Sequence, residues 1–195
     1  MDEITTLSLF DRTGARLKGH FRLTSGLHSD QYLQCALVLQ HPDLAAQLGS
    51  ALGDQLARHS PIGDGIHAVV SPAMGGLIIG HEVARRLGVR HIFTERVDGK
   101  MAMRRGFSVQ SGENVVVVED VITTGGSTRE VIDLLRGLGV RVVAAGSIVD
   151  RSGGTADVGV PRAALATLTV STWDPGVCPL CAQGSTAIKP GSRPV

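Results

Sequence analysis

Apolar runs alternate along this chain with longer stretches in which apolar side chains recur at helical spacing. Strand-like runs fall at residues 67–71, 91–94, 114–119 and 140–149. The four consecutive valines Val115, Val116, Val117 and Val118 are the strongest of these, because a β-branched run without polar alternation suits a central strand covered on both faces. Between the runs, Leu44, Leu48, Leu52 and Leu56 repeat every fourth position after Pro42-Asp43, which predicts a helix starting at the proline. Val131, Leu134, Leu135 and Leu138 form a second helical stripe that ends at Gly139. Strands and helices in alternation predict an α/β fold with a parallel sheet.

Outside this core the pattern changes. Residues 1–40 read as a helix followed by a hairpin-like segment, with arms at 21–23 and 32–39 around the polar turn Thr24-Ser25-Gly26-Leu27-His28-Ser29. Residues 96–106 combine charge and glycine without apolar periodicity, which predicts an exposed, mobile loop. Prolines 175, 179, 190 and 194 predict an extended tail from residue 172 onward. The domain reading is a single unit over 1–171, with a hood at 1–40, a core at 41–171 and the tail at 172–195.

Composition narrows the function. Nineteen basic and 18 acidic residues leave a net charge of +1, so no global electrostatic footprint for DNA or an anionic membrane exists and any anion site must be local. Glycine is abundant, at 25 residues, while Trp and Tyr occur once each. Ligand handling by backbone and charge is therefore favoured over aromatic stacking. The acidic start of the chain lacks the basic region of a signal peptide, and the longest near-apolar stretch is short and broken by glycine; a cytoplasmic protein is expected.

The chemistry concentrates in Val118-Glu119-Asp120-Val121-Ile122-Thr123-Thr124-Gly125-Gly126-Ser127-Thr128. A buried strand delivers two adjacent carboxylates at its carboxyl end, where open α/β sheets bind ligands, and a Thr/Gly/Ser turn then opens a helix. Glycines permit close approach, and free N–H groups at a helix start favour phosphate. Carboxylates beside a phosphate cradle suit sugar hydroxyls or hydrated Mg²⁺ on the same ligand. Without a Gly-Lys-Ser/Thr ending the turn is not a nucleotide P-loop.

This run resembles the phosphoribosyl-pyrophosphate signature of type I phosphoribosyltransferases, and other segments resemble their orotate branch. The resemblance implies the family fold, a central mainly parallel sheet flanked by helices with a small N-terminal hood. It also implies transfer of the phosphoribosyl group of 5-phosphoribosyl 1-pyrophosphate to orotate, giving orotidine 5′-monophosphate and pyrophosphate. In the family, the acidic pair, matched by Glu119 and Asp120, meets the ribose hydroxyls, and the turn matched by Thr123 to Thr128 wraps the 5-phosphate. Many members have Asp where Glu119 stands. Ala73, Met74, Gly75 and Gly76 match the pyrophosphate loop, although some members carry a lysine at the position of Gly75. Arg151 matches the arginine that pairs with the orotate carboxylate, and a guanidinium suits that bidentate contact. Ser25, Tyr32 and Thr123 complete the expected base side.

Residues 96–106 match the family's mobile basic lid, which closes over pyrophosphate from the neighbouring subunit of a homodimer. Arg96 and Lys100 have the spacing of its arginine and catalytic lysine. Val97 and Ala102 depart from residues that some members carry, and Arg104 and Arg105 are the candidates to supply the missing charge. Mg²⁺ is the implied cofactor, bound mainly through substrate, with Glu119 and Asp120 reaching it through water and no direct protein ligand. No nucleic-acid or membrane partner is expected. Two rival readings remain: a purine or xanthine phosphoribosyltransferase using the same donor, and a regulator that senses the donor and binds nucleic acid. The latter calls for a DNA-binding helix pair or basic face, which the first 40 residues do not display.

Cys178-Pro179-Leu180-Cys181 has the spacing of half a zinc site. An inert pair in a flexible tail is the favoured reading, with a metal shared between subunits as the alternative; Cys35 is not expected to complete the set. The seven histidines are read as surface or satisfied core residues, except His28 in the base-side turn.

Overall fold

A computed structural model describes residues 1–23, 25–59 and 65–190. Thr24 of the predicted hood turn, and the end of the tail with Pro194, lie outside the described residues. The chain begins with helix α1 (Glu3–Arg12), whose N-cap Asp2 accepts a hydrogen bond from the Thr5 amide at 2.8 Å. An antiparallel hairpin follows, β1 (Arg16–Arg22) with β2 (His28–Leu33), and then a short helix, α2 (Cys35–Leu39). The expected second arm at 32–39 is thus half strand and half helix, because Cys35, Val38 and Leu39 share one buried side at helical spacing.

The core continues with α3 (Pro42–Ala57), β3 (Ala68–Pro72), α4 (Gly76–Leu87), β4 (Arg90–Val97), β5 (Lys100–Met103), β6 (Asn114–Ile122), α5 (Gly126–Gly137), β7 (Arg141–Asp150) and β8 (Arg162–Thr167). Six strands form one sheet in the order β5-β4-β3-β6-β7-β8, with every pair parallel except β4 with β5. Strand β6 lies inside it, as its valines predict. Val116 and Val118 pack with Leu48, Ile79 and Val83 from α3 and α4, whereas Val115 and Val117 pack with Val131, Ile132 and Leu135 from α5. All four valines are fully buried, each burial being worth about 1.5–3 kcal/mol. Helix layers on both faces leave the carboxyl ends of β6 and β7 free to build a site.

Two expectations are corrected. Residues 96–103 are a β-hairpin rather than an irregular loop: β4 runs to Val97, turns through Asp98 and Gly99 with φ of 49° and 82°, and returns as β5. Asp-Gly with positive φ at both positions is the two-residue turn whose twist matches paired strands. The described part of the tail is likewise not extended. Thr172–Trp173 forms β9, which pairs with β2, and α6 (Pro179–Ala182) follows. Ile188 donates its amide to the His20 carbonyl at 2.9 Å and accepts from the Arg22 amide at 2.8 Å. The segment from Thr172 to Ile188 therefore lies against the hood, Cys178 is buried, and His28 turns toward Cys181 rather than toward the base side.

Candidate active site

Strand β6 carries Glu119 and Asp120 to the carboxyl edge of the sheet, and the chain then passes through Val121, Ile122, Thr123 and Thr124 into α5. Gly125 caps that helix in the left-handed region at φ 77°, a conformation suited to glycine, and its carbonyl accepts the Arg129 amide at 2.8 Å. The amides of the first turn are thereby left for a ligand.

The two carboxylates are held differently. Glu119 accepts a 2.5 Å hydrogen bond from the buried Thr128 hydroxyl. Burial pushes its pKa up to about 7 against the lowering effect of that bond, with neighbouring Asp120 adding to the rise. Asp120 accepts from the Val121 amide at 2.8 Å, and the Cys35 thiol lies against it; burial raises its pKa as well. The same burial, reinforced by Asp120, raises the Cys35 thiol well above its usual value. Two carboxylates short of counter-charge form a site that attracts a cation or hydroxyl donors.

Two cavities open around this edge and share Ser25, Val121, Thr123 and Thr124, so they form one cleft. The larger, about 640 Å³, holds Tyr32, Asp120 and Arg151. The smaller, about 420 Å³, holds Glu119, Gly125, Gly126 and Ser127. In the larger cavity, burial lowers the pKa of Arg151 and raises that of Tyr32. Arg151 stands on a fixed loop. Its amide donates to the Ile122 carbonyl, and the next residue, Ser152, donates both amide and hydroxyl to Asp150 Oδ1 at 2.8 and 2.6 Å. Asp150 also meets Arg162 at 2.8 Å in a nearly buried pair. Burial would raise the Asp150 pKa, but the Ser152 bonds and Arg162 outweigh it and hold the carboxyl below its usual value.

The remaining expected residues line neither cavity. Ile122 and Thr128 are buried supports. Ala73, Met74, Gly75 and Gly76 follow β3, and Gly75 lies directly against Asp120. Arg96 and Lys100 sit on the β4–β5 hairpin and line neither cavity of their own chain. Arg96 pairs with Glu130 at 2.9 Å and donates to the Gly99 carbonyl. Arg105, a candidate for extra lid charge, is committed to Glu95 through two bonds of 2.9 and 2.8 Å. Sequence reasoning missed Glu130 on the smaller cavity and Gln34, Val170 and Thr172 on the larger. Glu130 sits three residues past Ser127, one turn along the helix, and that spacing could have identified it; the others carry no chemical signature.

Comparison with known proteins agrees with this architecture. The model of the phosphoribosyl transferase domain family matches residues 38–173. The orotate phosphoribosyltransferase of Desulforamulus reducens is 53% identical over 195 residues, the whole of both chains. That of Pelotomaculum thermopropionicum is 55% identical over 194 residues, covering 100% of this chain and 98% of its own. The crystal structure of orotate phosphoribosyltransferase from Aeropyrum pernix superposes with a TM-score of 0.64 at 31% identity, covering 83% of this chain and 92% of that one. With a matching domain, full-length similarity and a shared fold, the chain belongs to the orotate phosphoribosyltransferase family of type I phosphoribosyltransferases.

Proposed function

We propose that this chain joins orotate to the anomeric carbon of 5-phosphoribosyl 1-pyrophosphate, releasing pyrophosphate and orotidine 5′-monophosphate in pyrimidine biosynthesis in the cytoplasm. The observation that carries the reading is one cleft with Arg151 at its larger end, the Thr123–Thr128 turn at its smaller end and the carboxylates between. That order matches a substrate pair with a carboxylate on the base, hydroxyls on the sugar and a phosphate on its 5-carbon.

Each group has a physical task. Arg151, with Ser25, Tyr32 and Thr123, fixes the planar base by charge and hydrogen bonds. The turn from Thr123 to Thr128 takes the 5-phosphate on backbone amides and hydroxyls. Glu119 and Asp120 accept from the ribose hydroxyls. As the bond from the anomeric carbon to pyrophosphate breaks, the sugar becomes cation-like and the departing oxygen takes the electron pair, as in glycoside cleavage. The two carboxylates then face growing positive charge, and Lys100 with Arg96 neutralises the leaving group when the hairpin covers it.

The donor set fits Mg²⁺, since two hard carboxylates raised in proton affinity by burial are drawn to a hydrated divalent cation. Bound with the donor, Mg²⁺ would screen the diphosphate charge, with Glu119 and Asp120 holding it through water. Lys100 lines neither cavity of its own chain, and the reading includes a homodimer whose hairpin serves the partner's cleft, as the family resemblance implies. It treats residues 1–171 as one working domain.

The test is the ultraviolet absorbance of orotate mixed with the donor, with and without Mg²⁺, beside uracil, xanthine and hypoxanthine. A metal- and donor-dependent loss restricted to orotate is expected. Turnover of a purine instead, or binding without turnover, would replace the reading.

A further inference from the structure

The cysteine pair that looked like half a metal site has its other half in the hood. Nε2 of His20, Nδ1 of His28 and the sulfurs of Cys178 and Cys181 all lie within 4.8 Å of one another. The sequence conceals this because the cysteines stand more than 140 residues beyond the histidines. The β1–β2 hairpin supplies both histidines, with an irregularity in its register between Lys18 and Phe21 at the position of His20. The chain returns beside this hairpin through β9, which sets Trp173 opposite His28, and α6 then carries the cysteines over it.

We propose that His20, His28, Cys178 and Cys181 bind one zinc ion in a tetrahedral site that clasps the C-terminal segment to the hood. The distances agree with the shape of such a site. Bond lengths of about 2.3 Å to sulfur and about 2.05 Å to nitrogen place tetrahedral sulfur and nitrogen ligands about 3.6 Å apart and two nitrogens about 3.3 Å apart. The sulfur–nitrogen separations are 3.4 Å for Cys178 with His20, 3.8 Å for Cys181 with His20 and 3.3 Å for Cys181 with His28. The two ring nitrogens are 2.9 Å apart. These four separations differ from the tetrahedral values by only about 0.2–0.4 Å, some short and one long, so side-chain adjustment would bring them to a bound ion.

Tautomer and burial point the same way. His20 Nδ1 faces the Ser185 carbonyl at 3.1 Å, so that nitrogen carries the proton and Nε2 presents its lone pair to the cluster. A backbone carbonyl on the far nitrogen is the usual outer support of a metal-bound histidine. His20, His28 and Cys178 are buried and Cys181 is partly exposed, which gives a closed structural centre with an entry side. Two thiolates with two imidazoles in a tetrahedron select zinc over Mg²⁺ or Ca²⁺, which prefer oxygen. On binding, each thiol releases its proton to solvent.

The site is separate from the substrate cleft, since none of its four ligands lines either cavity. It does adjoin the base-side wall, because β9 begins at Thr172, which lines the larger cavity. The test is metal analysis of the full-length, untagged protein grown with zinc, paired with Co²⁺ titration of chelator-stripped protein. One zinc per chain is expected, together with a cobalt spectrum showing thiolate charge-transfer bands and the intense visible bands of a tetrahedral centre. Cys178→Ser/Cys181→Ser should lose both. Cys181→Ser, changed at the least buried ligand, provides a folded comparison and should lose at least half of the charge-transfer intensity. Zinc-free protein that also gives no cobalt spectrum overturns the proposal, as does full retention of metal in the double variant.

Discussion

Gly75 lies against Asp120 so closely that a β-carbon built on its backbone would stand 2.5 Å from Oδ1 and 2.8 Å from Cγ. The contact couples the loop after β3 to the acidic end of β6. Its backbone is ordinary, with φ of −56°, so the requirement for glycine is one of space alone. Asp120 has little freedom to yield, since Val121 holds the same Oδ1 at 2.8 Å and Cys35 lies beside it.

Gly75→Ala should therefore displace Asp120 while leaving the fold in place. The expected result is a rise of about tenfold in KM for the phosphoribosyl donor, on the order of 1.4 kcal/mol, with a change in unfolding free energy below about 1 kcal/mol. Steady-state kinetics and thermal melting on one preparation check it. An unaltered KM would show that the carboxylate moves aside without cost. A lysine at this position, as some family members have, would need a different placement of Asp120.

The hairpin and the tail show where sequence patterns stopped being informative. Val115 to Val118 were legible because burial on both faces leaves no polar residue in the strand. Arg96 to Met103 were not, because the exposed hairpin mixes charge with apolar residues and its turn signal, Asp98-Gly99, lies in a segment rich in lid-like charge. Strand β8 is short and alanine-rich at an edge of the sheet, so it has neither a β-branched run nor clear alternation. The acidic pair and the following turn were legible because that chemistry is contiguous in the chain. The larger cavity's wall at Gln34, Val170 and Thr172 was not, since it is assembled from distant segments contributing mainly shape.

Arg151→Ala should raise KM for orotate by about 10- to 100-fold and change KM for the sugar donor little. A charge-assisted hydrogen bond contributes about 1.5–3 kcal/mol, and this side chain is partly buried on a loop fixed by Asp150. Arg151→Lys should recover only part of the loss, because a point charge cannot reproduce a two-pronged contact. Unchanged orotate kinetics would remove Arg151 from the base site.

Lys100→Ala should lower kcat by about 10²–10³ while KM for the donor moves by less than about threefold, the pattern of a charge that acts on the departing group. Lys100 is exposed on the hairpin, so the substitution leaves the core intact. Mixing Lys100→Ala with a cleft-defective Arg151→Ala protein separates the two subunit arrangements. If the hairpin serves the partner's cleft, mixed dimers regain one complete site and activity exceeds the sum of the parents. Activity equal to that sum would assign each hairpin to its own chain.

His91 provides a pH signature of the core. Its Nε2 lies 2.8 Å from the Ser71 hydroxyl, and burial first, then neighbouring His81, lowers its pKa from 6.5 to about 4. Between these values the unfolded chain binds a proton that the folded protein excludes, so stability is complete above about pH 6.5 and falls as pH drops toward 4. Because the ring is partly exposed, the loss across that window should be about 1–2 kcal/mol. Urea unfolding at a series of pH values measures it, and His91→Asn, which keeps a partner for Ser71, should flatten the slope between pH 6.5 and 4. An identical slope in the variant would assign the acid sensitivity to other groups and leave His91 as a packing residue between β3 and α4.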